Sequence, residues 1–91
     1  SNAAFLMTEG WCHEASGDGE RALDCFRRAV QSSPANTGFL VVLGTALARR
    51  GRRGEAAATL RRGLRADPDD RDAMRALVAV LGASAGERDA L

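Results

Sequence analysis

The sequence predicts an all-α chain built as a stack of antiparallel helical hairpins, with about two and a half repeats and five helices. Three observations carry that prediction. Sliding residues 3–36 onto 37–70 pairs Phe5 with Phe39, Leu6 with Leu40, Gly10 with Gly44, Gly17 with Gly51, Ala22 with Ala56, Arg27 with Arg61, Arg28 with Arg62 and Pro34 with Pro68. Within each period the apolar residues recur every three or four positions, which is the period of a helix face and not of a strand. Gly and Pro fall at corresponding places in both periods and punctuate the apolar stripes.

The first helix is expected over 4–16, from Leu6, Gly10 and His13, and ends ahead of Gly17-Asp18-Gly19. The second, over 20–32, carries Ala22, Leu23, Phe26 and Val30 and stops at Ser33-Pro34, because Pro disfavours helical backbone in the residue before it. Asn36 or Thr37 caps a third helix over 37–50, with Leu40, Leu43 and Leu47 on one face and Gly51 as its end. Ala56, Ala57, Leu60 and Leu64 mark a fourth over 54–66, closed by Asp67-Pro68. Asp70 caps a fifth over 71–83 with Met74, Leu77 and Leu81; the Gly82–Gly86 stretch is expected to end it, leaving 87–91 frayed or partly helical. Short connections make successive helices antiparallel neighbours. Gly10, Ala22 and Ala29, then Gly44, Ala56 and Gly63, are small residues where paired helices must approach closely.

This punctuation resembles the tetratricopeptide repeat. The second period carries the pattern as Leu40, Leu43, Gly44, Leu47, Gly51, Ala56, Leu60, Gly63 and Pro68. The first carries it as Leu6, Glu9, Gly10, His13, Gly17, Ala22, Phe26, Ala29 and Pro34, with Glu9 in place of a Leu and His13 in place of an aromatic. The third has Met74, Leu77, Val78, Leu81 and Ala90. The resemblance implies a right-handed stack with repeat one over 4–36, repeat two over 37–70, and 71–91 as a capping first helix plus a short tail. Ser1-Asn2-Ala3 look like the remnant of a cleaved tag and are set apart; with no Met after them, the chain is expected to be a segment of a longer protein.

Composition excludes several functions. The chain has 91 residues and net charge +1, and no apolar run approaches the length of a membrane span. No signal-peptide pattern is present, and two cysteines are too few for a disulfide framework, so a cytoplasmic protein with free thiols is expected. The basic residues are all Arg in an Ala- and Gly-rich chain, the composition of a GC-rich, bacterial coding sequence.

Function is then a question of surface. In arrays of this family the first helix of each pair lines a concave face where peptides or partner helices dock. Carried over, this puts Met7, Trp11 and Glu14 of repeat one, Val41, Thr45, Ala48 and Arg49 of repeat two, and Asp72, Arg75 and Ala79 of repeat three on the groove. Trp11, the single Trp, is the candidate anchor, against the plainer role of filling a gap in the concave surface or contacting a terminus beyond this segment. The clamp that some family members use on the carboxylates of chaperone tails needs converging Lys, Asn and Arg. This face offers Met7, Trp11 and Val42, with only Arg49 and Arg75 basic.

A basic run, Arg50, Arg52, Arg53, Arg61 and Arg62, raises an acidic-peptide or phosphate site. With no aromatic residue interleaved it reads first as a solvated face, so nucleic acid is not the expected partner. Cys12 and His13 are adjacent and about 100° apart on a helix, so they cannot share a metal, and no zinc-type spacing occurs. Both cysteines are read as buried small hydrophobes, and no metal, cofactor or catalytic residue is expected. Glu9, Glu14 and His13 have no pocket that would make them acid–base groups. The expected partner is a protein or peptide, with end-to-end pairing of two copies, or service as an accessory segment of an enzyme, as alternatives. Phe5 lacks a helix to cover it, which is what points to end-to-end contact.

Overall fold

A computed structural model describes the backbone of residues 3–90 and the side chains of 3–82. Five helices follow one another: α1 Ala3–Ala15, α2 Gly19–Ser32, α3 Thr37–Arg49, α4 Arg53–Ala66 and α5 Arg71–Ala90. No strand occurs among the described residues. Each helix packs on the next, and α5 also reaches α3, so the hairpins α1–α2 and α3–α4 stack with α5 closing the far side. The result is a slab with principal extents of 44 × 31 × 16 Å.

The punctuation acts through two turn types. Gly17 and Gly51 have φ of 84° and 78°, left-handed values that a side chain would strain. Each ends its helix with the same pair of bonds. The Gly17 and Asp18 amides donate to the carbonyls of Glu14 and His13, and the Gly51 and Arg52 amides to those of Ala48 and Leu47. The Pro turns are equally alike. The Asn36 amide donates to the Ser33 carbonyl at 3.0 Å and the Asp70 amide to the Asp67 carbonyl at 3.1 Å, each turn with Pro in its second position. Asn36 and Asp70 then cap the next helices, their side chains accepting from the amides of Phe39 and Ala73.

Phe26, Leu40, Leu47 and Leu60 are fully buried, and Met7, Leu23, Val30, Leu43 and Val80 join them in one core running through both hairpins. The hairpins close onto glycines. A Cβ on Gly10 would lie 2.3 Å from Cε1 of Phe26, and one on Gly44 would lie 2.7 Å from Cγ of Leu60. Gly63 differs, since a Cβ there would meet Thr37, Leu40 and Ala73 at an ordinary 3.5–3.8 Å. That is room for the methyl group that Ala29 carries at the matching position of repeat one.

The first four helices fall within one residue of the expected bounds, and the fifth does not. α5 continues through Gly82 and Gly86 to Ala90 instead of ending near 83, so the segment from 87, expected to be frayed or partly helical, is helical to Ala90, while Leu91 lies outside the described residues. No Pro blocks that stretch, and glycine weakens a helix by only about 1 kcal/mol without stopping it. Ala3, set apart with the tag-like residues, is the first residue of α1 and is buried; residues 1 and 2 lie outside the described residues, as does the side chain of Ala90.

Candidate functional site

The expected groove residues lie on α1, α3 and α5. Trp11 keeps 46% of its surface exposed, and its ring meets buried Phe26 edge-on, with centroids 5.3 Å apart and planes at 65°. The indole is thereby anchored on the core while nearly half of its surface remains open. Glu14, three residues beyond Trp11 on α1, pairs with Arg49 at 3.4 Å and joins α1 to α3. Val41 and Ala48 are half-buried against the core, and the half-buried Thr45 turns its hydroxyl back to the Val41 carbonyl at 2.8 Å. Asp72, Arg75 and Ala79 are exposed on α5, and among the described residues no ion pair or hydrogen bond links Asp72 or Arg75 to the Glu14–Arg49 pair.

Met7 departs from expectation. It is 7% exposed and belongs to the core that runs through both hairpins, so its side chain is withdrawn from the exposed surface.

The basic run does not stand as one patch. Glu20 on α2 takes both Arg50 and Arg52, its two carboxylate oxygens accepting at 3.2 and 3.0 Å. Arg27 pairs with Glu55 at 3.0 Å between α2 and α4. Arg61 and Arg62 are exposed about two turns further along α4 than Arg53. Read linearly, residues 49–66 look strongly basic; the stack places acidic side chains of repeat one against them. A cleft of about 550 Å³ opens between α2, α3 and α4, lined by Arg27, Gln31, Leu43, Glu55 and Arg62 among others. None of the expected groove residues lines it.

The cysteines separate. Cys25 is buried, but Cys12 is exposed, contrary to the expectation of two buried thiols. Burial pushes the Cys25 thiol above its ordinary value of 9.0, the carboxylates of Glu9 and Asp24 add to the rise, and Arg28 opposes it.

One constellation was missed by reading along the chain. Ligand atoms of Glu9, His13 and Cys25 all lie within 4.8 Å of one another, with Glu9 and His13 half-buried. Glu9 and His13 are four apart on α1 and share a face, while Cys25 is eight residues past the Gly17 turn and Glu9 eight before it. The antiparallel hairpin therefore sets Cys25 level with them. That reflection about Gly17 was the available signal; testing His13 against its neighbour Cys12 could not find it.

No helix among the described residues is long and apolar enough to cross a membrane. The family model of the tetratricopeptide repeat matches residues 13–81. No curated protein matches the chain significantly.

Proposed function

The chain belongs to the tetratricopeptide repeat family, whose members are generally protein-interaction modules, and we propose that it is a non-catalytic module presenting the α1–α3–α5 surface to a peptide or partner helix. The observation that carries this reading is Trp11, a large amphipathic side chain 46% exposed and already ordered by its edge contact with Phe26. An anchor held in place before binding loses little conformational entropy on docking. The Glu14–Arg49 pair, joining the same two first helices, supplies polar groups of both signs, suited to a peptide backbone or a mixed-charge helix. The expected partner is protein; the pairing of Arg50 and Arg52 with Glu20 argues against a phosphate backbone.

The test is affinity capture from a lysate of the source organism, with and without nuclease, comparing wild type with Trp11→Ala and with an Arg52→Glu/Arg53→Glu variant. A protein retained by wild type and by the Arg variant, unaffected by nuclease and lost with Trp11→Ala by roughly thirtyfold or more in affinity, is the expected result. Material that follows nuclease treatment or the Arg variant would instead assign the basic residues.

A second reading, self-association, rests on α5. Met74, Val78 and Leu81 lie at helical spacing on one face of that helix and are 50%, 64% and 44% exposed, while Phe5 on α1 is 64% exposed. In a solenoid such faces are buried by a neighbouring repeat. Sedimentation of the wild type against Met74→Ser/Val78→Ser separates the readings, since a groove interaction leaves the sedimentation of the free chain unchanged.

A further inference from the structure

We propose that Glu9, His13 and Cys25 form a binding site for a single zinc-class divalent cation, held between α1 and α2 with its fourth position open to solvent.

The donor set defines the ligand class. A carboxylate, an imidazole and a thiolate are the three side-chain types that bind zinc, and three protein ligands plus water is the arrangement of an open, four-coordinate site. The thiolate disfavours Mg2+ and Ca2+, which take oxygen ligands. Charge also matches, because an ionised Glu9 and Cys25 with a neutral His13 carry two negative charges for a divalent ion to neutralise.

The geometry is close to that requirement. Around a tetrahedral ion with bonds of about 2.0–2.3 Å, ligand atoms stand roughly 3.3–3.8 Å apart, and here they already lie within 4.8 Å of one another. Closing the remaining gap asks for small rotations of Glu9 and His13, both half-exposed, toward a Cys25 that the core holds still. Two ligands on one helix face and one on the facing helix cross-link the hairpin, so the cation fixes α1 onto α2. The thiol proton leaves to solvent as the bond to the metal forms. No group is oxidised or reduced.

The experiment is a Co2+ titration of the full chain, first reduced and stripped with chelator, followed by displacement with Zn2+. The expected result is one equivalent of Co2+ bound, with a sulfur-to-cobalt charge-transfer band and the intense visible bands of four-coordinate cobalt, abolished by one equivalent of Zn2+. Zn2+ should also raise the thermal midpoint by at least roughly 4 °C at saturation. Cys12→Ser is expected to behave as wild type. Cys25→Ser should lose the charge-transfer band, and His13→Gln and Glu9→Gln should each weaken binding at least about tenfold. Both of the latter positions are half-exposed, so these chains keep their helical circular dichroism and test the site even if Cys25→Ser is unstable. Absence of the band at one equivalent, or a band that survives Cys25→Ser and disappears in Cys12→Ser, overturns the proposal. The outcome is independent of the groove reading, which depends on Trp11 and not on these three residues.

Discussion

Phe26 lies so close to the backbone of Gly10 that a single added carbon would stand 2.3 Å from its ring. The same relation recurs one period on, between Gly44 and Leu60. Both partner side chains are fully buried, so making room for that carbon displaces packed neighbours. Gly10→Ala and Gly44→Ala are therefore expected to destabilise the chain by about 1–3 kcal/mol each, despite the better helix propensity of Ala. Urea denaturation followed by circular dichroism measures this, and an unchanged midpoint for both would show that the helices can part without cost.

Gly63 provides the opposite case. A Cβ there makes only ordinary contacts, and the position is helical, so Gly63→Ala gains helix propensity and a little buried apolar surface. A stabilisation of about 0.5–1 kcal/mol is expected in the same assay. A loss would mean that α3, α4 and α5 approach more tightly than these distances indicate.

Glu20 bridges Arg50 and Arg52 across the repeat boundary, and all three side chains are 40–55% exposed. Exposed pairs of this kind contribute at most about 1 kcal/mol and are screened by salt. Glu20→Gln should lower stability by less than about 1 kcal/mol at low ionic strength, with the difference shrinking in molar salt. A loss that persists at high salt would point to packing by the Glu20 stem in place of charge.

Cys25 gives an alkaline signature in metal-free protein. Its thiol is raised above 9.0 by burial, with Glu9 and Asp24 adding, so the folded chain holds that proton more tightly than the unfolded one. The resulting stabilisation is fully present below 9.0 and disappears as pH rises through the folded value. Lys and Tyr are both absent, so few other side chains titrate in that window. Stability should fall with rising alkalinity in wild type and much less in Cys25→Ala. Alkylation at neutral pH should modify exposed Cys12 well before Cys25.

Most of the architecture is legible in the residues that punctuate it. Gly17 and Gly51 are readable because a left-handed backbone selects glycine, and Ser33-Pro34 and Asp67-Pro68 because Pro acts on the residue before it. The end of α5 was misread for a related reason: Gly82 and Gly86 have the composition of a stop without the left-handed turn that makes one. The surface is less legible. Trp11 and Arg49 are exposed, but Met7, which the same helix pattern puts on that face, is buried in the core, and a pattern read along one helix does not encode how far each side chain is withdrawn by packing. Relations across the stack escape a linear reading altogether. Glu14 meets Arg49, Glu20 meets Arg50, and Cys25 meets His13 through the register of packed helices, which the one-dimensional charge run and the Cys12–His13 adjacency do not encode.

The contact between Trp11 and Phe26 gives the molecule a built-in local gauge. With one Trp and no Tyr, its tryptophan emission arises wholly from repeat one, whereas circular dichroism sums over all five helices. In a linear array each repeat is held only by its neighbours, so an end hairpin can open before the middle does. Denaturation curves from the two signals will coincide if the stack melts as a unit. They will separate, with emission changing first, if the first hairpin peels away while α3, α4 and α5 remain folded.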